Sequence, residues 1–263
     1  MNDCEFPTGK DSVSYSEIAC WADCAYRHKL TYVDKVPIEF KENEHTSFGH
    51  ALHSSIESYL KTRVIDRESC LLDIENKWKS LGRDDVDKWK LWASNILDEI
   101  PGVLDREFGG WELIGSEIRL FGDVPGIPIK FKGFVDCVIK VKDSHGREKI
   151  VVIDWKTGPA YGWRREKRES FLVQLQLILY KIFVMRMLST SSRETPVVFV
   201  VMKKGAKPGK VIDIIRFSAG PKTQARAEKS VRDMVKSVQR RLFLKNKYNC
   251  QHCDYRGTPH CTR

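Results

Sequence analysis

The stretch Val151-Val152-Ile153-Asp154-Trp155-Lys156-Thr157-Gly158 constrains this chain more than any other. Three β-branched residues ahead of a Thr-Gly stop predict a short buried strand. Side chains alternate along a strand, so Asp154 and Lys156 share one face while Ile153 and Trp155 take the other. A carboxylate and an ammonium at the end of an apolar strand are costly to bury unless something uses them. Upstream, Lys132-Gly133-Phe134-Val135-Asp136-Cys137-Val138-Ile139 is a second strand pattern carrying one acid, Asp136. Residues 140–147 between the two read as a hairpin turn. Two acids and a lysine on neighbouring strands have the right donors for a hard divalent cation beside a phosphate. A plain Asp–Lys ion pair is the alternative that the strands alone leave open.

Composition narrows the classes. With 263 residues, 41% hydrophobic and 10% aromatic, the chain has a globular composition and suits one large domain or one domain with an insertion. A formal net charge of +10 favours an anionic partner, with nucleic acid ahead of a membrane surface. Residues 1–10 are polar and lack the apolar core of an export signal. The most apolar stretch, residues 171–188, is interrupted by Gln174, Gln176, Lys181 and Arg186, against a membrane span. The expectation is therefore an intracellular protein, cytoplasmic or in a host cell if the source is viral. In a reducing compartment its eight cysteines are metal ligands or free thiols rather than disulfides.

Taken in order, residues 1–13 read as a flexible tail and residues 14–249 as one domain. A first helix opens at Ser14-Tyr15-Ser16-Glu17 and runs through Cys20 and Cys24 towards Arg27, with residues 31–36 β-leaning. Residues 46–60 form a second helix that puts His53 and Glu57 on one face. Two or three charged amphipathic helices over about 61–108 make an inserted lobe. Strands follow at 111–120, containing Glu117, then at Asp136 and Asp154, with a basic loop at Arg164-Arg165-Glu166-Lys167-Arg168. A helix over 170–188 aligns Gln176 with Tyr180, strands at 196–202 and 211–217 flank the basic turn 203–210, and 222–244 reads as a basic amphipathic helix. The cysteine-rich end, 250–263, places Cys250, Cys253 and Cys261 at metal-binding spacing. The basic runs could track a phosphate backbone, and the interleaved Tyr161, Trp163, Phe243 and Tyr248 could stack on bases of a single strand.

Together these pieces resemble the PD-(D/E)XK nuclease superfamily, in particular its RecB-like exonuclease branch, which includes AddB-type and CRISPR-associated exonucleases. Gly49-x-x-x-His53-x-x-x-Glu57 is similar to that branch's G-x-x-x-H-x-x-x-E helix, and Gly133-Phe134-Val135-Asp136 to its G-x-x-D strand. Asp154-Trp155-Lys156-Thr157-Gly158 is similar to its D-x-K-T-G strand, and Gln176-Leu177-Ile178-Leu179-Tyr180 to its Q-x-x-x-Y helix. The resemblance implies an α/β restriction-endonuclease-like core, a central mixed sheet flanked by helices, and a metal-dependent DNA exonuclease. It implies Mn²⁺ or Mg²⁺ held by His53, Asp136, Asp154 and a backbone carbonyl beside Asp154, with Lys156, Gln176 and Tyr180 completing the catalytic set. Glu57 and Glu117 are weaker candidates. Arg164, Arg165, Lys167 and Arg168 would bind DNA at the mouth of the site. In iron–sulfur members a cysteine on the first helix joins three at the C-terminus, which implies a [4Fe–4S] cluster on Cys24, Cys250, Cys253 and Cys261, clasping 250–263 to the 14–28 helix. Cys20 competes with Cys24, and His252 and His260 keep a structural Zn²⁺ open. The expected partner is single-stranded or free-ended DNA, with no membrane, in recombination, repair, CRISPR adaptation or viral DNA metabolism; a homo-oligomer or recombination and replication proteins are further possible partners. Two rival readings are a catalytically silent nucleic-acid-binding module of the same fold and an RNA-directed nuclease.

Overall fold

The structure is a computed structural model that describes residues 6–38 and 43–262. In chain order the elements are β1 (Ser12–Ser14), α1 (Tyr15–Asp23), α2 (Ala25–His28), a π-helical turn (Lys29–Val33), α3 (Glu44–Thr62), α4 (Arg67–Ser80) and α5 (Val86–Glu107). They continue with β2 (Glu112–Asp123), β3 (Lys130–Lys142), β4 (Glu148–Pro159), α6 (Arg165–Glu169), α7 (Phe171–Leu188), β5 (Val197–Lys204), β6 (Ile212–Arg216), α8 (Pro221–Gln239) and a 3₁₀ turn (Lys247–His252). The chain divides into two compact units: Met1–Phe40 with Arg119–Gly133 and Pro221–Arg263, and Lys41–Ile118 with Phe134–Gly220.

The second unit holds the central part of a mixed sheet. β3 and β4 pair antiparallel through Cys137↔Ile153, Val138↔Val152 and onward to Lys142↔Glu148. β5 joins β4 in parallel and β6 closes the row antiparallel to β5. The parallel step needs a crossover, which α7 supplies. Alternate strand residues Val151, Ile153, Trp155, Val198, Val200 and Met202 share one core with α3, α4 and α5. α7 packs on β4 and β5 as well. This is the mixed α/β fold, with helices flanking a central sheet, that the sequence predicts. α7 is apolar and long enough to cross a membrane, but half of it is buried within the protein, which fits a core helix. The lobe expected at 61–108 consists of two helices, each opened by an aspartate at its N-cap, Asp66 and Asp85.

In the first unit β1 pairs in parallel with the start of β3, Ser12↔Lys130 to Ser14↔Lys132. Several expectations need correction. Residues 6–13 do not behave as a loose tail, since Phe6, Thr8 and Val13 are buried; residues 1–5, with Cys4, lie outside the described residues. Ser14 does cap α1, accepting from the Glu17 amide at 3.3 Å, but the helix breaks at Cys24, whose backbone is extended at φ −163. The β-leaning run 31–36 instead begins in the π-helical turn, because local β-propensity is weak where no neighbouring strand pairs with it. α8 stops at Gln239 and Arg241 is left-handed at φ 55, so the helix expected to reach 244 is five residues shorter. The predicted hairpin turn shrinks to 143–147 as β3 extends to Lys142, Lys203 and Lys204 lie within β5, and 165–169 is helical rather than loop.

Candidate active site

The residues proposed for catalysis meet in the second unit. Asp154 is fully buried on β4, and Lys156, two residues on, turns its ammonium back to within 2.7 Å of Asp154 Oδ2. At 2.7 Å the Lys156 ammonium is close enough to donate to Oδ2, and among the described residues nothing else donates to either buried oxygen of Asp154. Asp136 lies one step beyond the Cys137↔Ile153 pair of the β3–β4 ladder. The Trp155 amide donates to Asp136 Oδ2 at 2.8 Å, which locks the Asp136 carboxylate against the start of the Asp154–Lys156 segment. From α3, His53 Nδ1 reaches 3.8 Å from the same Oδ2. On α7 the Gln176 side-chain amide donates to the Tyr180 hydroxyl at 3.1 Å, four residues on. The electrostatic influence of Lys156, Asp154 and Asp136 reaches that hydroxyl.

Burial sets the protonation of these groups. It pushes Asp136 up to about 6, against the pull of Lys156 and of the Trp155 amide. Burial also raises Asp154 well above an ordinary aspartate, with Lys156 opposing. Burial works against the charge on Lys156, but Asp154 and Asp136 outweigh it and the lysine ends above its usual value. His53 is lowered by burial, partly offset by Asp154, which favours the neutral imidazole that a metal ligand must be. Burial pushes the Tyr180 hydroxyl up to about 12, so it stays protonated and can donate.

Glu117, a weaker candidate in the sequence, comes close to two of the stronger ones. His53, Glu117 and Asp136 each offer a ligand atom, and these lie within 4.8 Å of one another. Glu117 sits inside β2 with φ 50, a left-handed conformation that costs a non-glycine residue on the order of 1–3 kcal/mol. The alternation of exposed and half-buried residues along β2 slips at Gly115–Ser116, the mark of a bulge. An isolated glycine in a strand pattern is the signal that pointed there: a Cβ on Gly115 would meet Ile118 Cδ1 at 2.8 Å. Glu57, one turn beyond His53, is held by Lys61 at 2.6 Å and accepts from Ser116 Oγ at 3.4 Å, and is not one of the three ligand groups. A buried carboxylate met only by a lysine, opposite a second aspartate and close to a His/Glu/Asp cluster, is a donor set suited to a hard divalent cation.

The basic helix α6 is divided. Arg165 pairs with Glu169 at 2.7 Å, and Arg168 donates to the Trp163 carbonyl at 2.6 Å and lies 3.7 Å from Asp213. Arg164 stacks over exposed Tyr161, and Lys167 places its ammonium 4.3 Å from the centre of the Trp163 ring.

The cysteines belong to the first unit. Cys24, Cys250, Cys253 and Cys261 line one cavity of about 590 Å³ together with Tyr26 and Arg27, and Cys20 does not line it. The two ends of the chain are tied around it by side chains and backbone. Asn246 and Asn249 both donate to the Asp23 carbonyl, at 2.9 and 3.1 Å, and the Tyr26 amide donates to Leu244 O at 3.1 Å. Arg27 pairs with Asp254 at 3.1 Å. The backbone break at Cys24 turns its sulfur towards the Asn246 amide, 3.4 Å away. His260 offers its carbonyl to Tyr26 at 3.1 Å; the side chain of His252 lies outside the described residues.

The model of the PD-(D/E)XK nuclease superfamily matches residues 12–258. The crystal structure of a Eubacterium rectale protein described as "Putative exonuclease" superposes with a TM-score of 0.59 at 13% identity, covering 97% of this chain and 91% of that one. At that identity the likeness is one of fold. A second solved structure, of SSO0001, has a TM-score of 0.34 at 16% identity, covers 78% of this chain and 92% of its own, and enters no argument. No curated protein sequence matches the chain. The family makes nucleic acid the substrate class and phosphodiester hydrolysis the reaction, and buried Asp154 with half-buried Asp136 and Lys156 has the residue types that this reaction needs. With the family match running over nearly its whole length, the chain belongs to the PD-(D/E)XK nuclease superfamily.

Proposed function

We propose that the chain is a metal-dependent deoxyribonuclease of the RecB-like branch, working as an exonuclease on single-stranded or end-frayed DNA. The observation that carries this reading is Asp154, fully buried, with Lys156 at 2.7 Å and no other donor to either oxygen among the described residues. Desolvating a carboxylate in this way is costly unless a cation completes it. The residues that would hold Mn²⁺ or Mg²⁺ are Asp154, Asp136, His53, a backbone carbonyl beside Asp154, and Glu117. Imidazole in the set favours Mn²⁺. When bound, the metal supplies a deprotonated water and neutralises charge on the phosphate. Lys156, its ammonium fixed by Asp154, orients the attacking oxygen and meets the charge that develops on the phosphate. Gln176 and Tyr180 hold each other at 3.1 Å and position the strand or the lysine. The E. rectale protein, described as an exonuclease, supports an exonuclease mode by analogy of fold alone.

The cysteine cavity supports the second cofactor. Four thiols from two distant stretches of sequence face one space. Zinc, with Zn–S near 2.3 Å, draws four sulfurs to about 3.8 Å from one another. A cubane binds each thiolate to a different iron and so spaces the sulfurs more widely. A [4Fe–4S] cluster on Cys24, Cys250, Cys253 and Cys261, in a structural role, is preferred to Zn²⁺ on the resemblance to the iron–sulfur members, one cysteine from the first helix joining three near the C-terminus.

The test is degradation of end-labelled single- and double-stranded DNA, with RNA alongside, in Mn²⁺, Mg²⁺ or EDTA, with a visible spectrum of anaerobically purified protein. Metal-dependent shortening of DNA from an end, with broad absorption near roughly 400 nm, is the expected result. Cleavage of RNA alone would move the substrate, and binding of DNA with no hydrolysis under any metal would leave a silent binding module.

A further inference from the structure

The sequence groups its basic residues into runs, but the structure sorts them by what they face. Lys203 is tied to Asp213 at 2.6 Å, Arg165 to Glu169 and Arg168 to Asp213. Lys167 and Lys204 are different: among the described residues neither has a carboxylate within ion-pair distance, and each is held by neutral groups. Lys167 rests on the Trp163 ring. Lys204 donates to His45 Nδ1 at 3.0 Å and lies 5.6 Å from the centre of the Trp89 ring. Aromatic faces and an imidazole fix an ammonium without neutralising it.

The two lysines also form a sequence in space that starts at the catalytic lysine. β5 runs parallel to β4 with Lys156↔Val201 and Pro159↔Lys204 in register, so Lys204 stands three residues further along the strand direction than Lys156, at the end of β5, with its side chain leaving the face that α3 and α5 cover. At about 3.3 Å per residue that is about 10 Å, the scale of one or two nucleotides. The charge of Lys156 is felt at Lys167, and the charge of Lys167 at Lys204; burial first, and then this repulsion, lower both ammonium groups, with Glu44 opposing at Lys204. Like charges set one after another and left unneutralised have an anionic polymer as their complement.

We propose that Lys167 and Lys204 bind backbone phosphates of the nucleic-acid strand as it leads away from the scissile bond at Lys156, while Arg165 and Arg168 serve the fold. The proposal deepens the nuclease reading and rests on it, but it is tested without cleavage. The full chain carrying Asp154→Asn is titrated with fluorescent oligothymidylates of increasing length, in EDTA, over a range of salt. Each phosphate contact on a single strand contributes about 0.7 to the slope of log K against log salt. Lys167→Ala and Lys204→Ala should each weaken binding several-fold and lower that slope by about this amount, for oligonucleotides long enough to reach them. Arg165→Ala should leave the slope unchanged. Lys204→Gln, which keeps the stem packed on Trp89, guards against loss of fold and should act as Lys204→Ala does. Unchanged slopes for folded Lys167 and Lys204 variants overturn the track whether or not the wild type cleaves DNA. Reduced slopes in a protein that cleaves nothing support the track and overturn the nuclease reading alone.

Discussion

The carboxylate site of the second unit and the cysteine cavity of the first are built on opposite terms. At the carboxylate site the sheet does the positioning: Asp136 is fixed by the Trp155 amide, Asp154 has no exposed surface, and Lys156 has one partner at 2.7 Å. Its two aspartates and the lysine stand on the regular strands β3 and β4, whose geometry is set by core packing elsewhere. The cysteines stand on a helix break and a short 3₁₀ turn, tied by hydrogen bonds to backbone carbonyls. Removing charge at the first site should destroy chemistry and leave the fold; removing a thiol at the second should do the reverse.

The sharpest way to break this contrast is Asp154→Ala or Lys156→Ala. Loss of one member of a hydrolytic set costs on the order of a thousandfold or more in rate. Cleavage should become undetectable while circular dichroism and thermal unfolding stay near wild type; unchanged cleavage in both variants would sink the nuclease reading. The second arm is Cys250→Ser or Cys253→Ser. A metal joining Cys24 to Cys250 closes a loop of most of the chain, for which chain-entropy reasoning gives an upper figure of about 5 kcal/mol. At about 2–4 °C per kcal/mol in a protein this size, the unfolding midpoint should fall by up to about 10–20 °C, with loss of the roughly 400 nm band. A midpoint that does not move would mean that the hydrogen bonds around Asp23 close the ends without a metal.

How far each site is legible in the sequence follows from the same contrast. Strand alternation has a period of two, so Asp154 and Lys156 could be placed on one face from the string alone, and the helical i, i+4 rule aligned Gln176 with Tyr180. These are local rules operating inside regular elements. The break at Cys24, the π-helical turn after His28 and the early end of α8 at Gln239 obey no such period, because contacts between the ends of the chain decide them. The strand β1 was invisible for a related reason: three residues cannot show an alternation, and they pair with β3 more than a hundred positions away. Glu117 was visible only as an acid in a strand; the bulge that turns it towards His53 and Asp136 is a property of the fold. The basic runs were legible as charge but not as free charge, since that depends on which carboxylate each cation finds.

Protonation gives a third comparison. Burial raises Asp136 to about 6, so in the metal-free protein its protonated form is the one that folding favours. That contribution to stability is fully present below the ordinary carboxylate range and is lost as pH rises through about 6. The shift of about two units corresponds to on the order of 2–3 kcal/mol. Denaturant unfolding in EDTA from pH 4.5 to 7.5 should show this loss, and Asp136→Asn should flatten the slope relative to wild type. Mn²⁺ should restore the stability towards neutral pH, where the ionised ligands bind it. The cysteine region has no carboxylate in its ligand set, and Cys250→Ser should keep the wild-type slope. An equal slope in Asp136→Asn would show that other groups carry the pH dependence.

The smallest expected effect is at Glu117. Replacing its carboxylate by an amide of the same shape keeps every backbone group of the bulge, and should leave the metal-free stability almost unchanged. What changes is one oxygen donor in a set that includes His53, Asp136 and Asp154. Losing one donor of several costs about tenfold in metal affinity. Glu117→Gln should therefore need about ten times more Mn²⁺ to reach the wild-type thermal shift, and kcat at saturating metal should fall much less than in Asp154→Ala. Glu57→Gln, whose carboxylate is held by Lys61 and Ser116, should bind Mn²⁺ as the wild type does. If the two glutamates exchanged behaviour, the ligand would stand on α3 rather than on the β2 bulge.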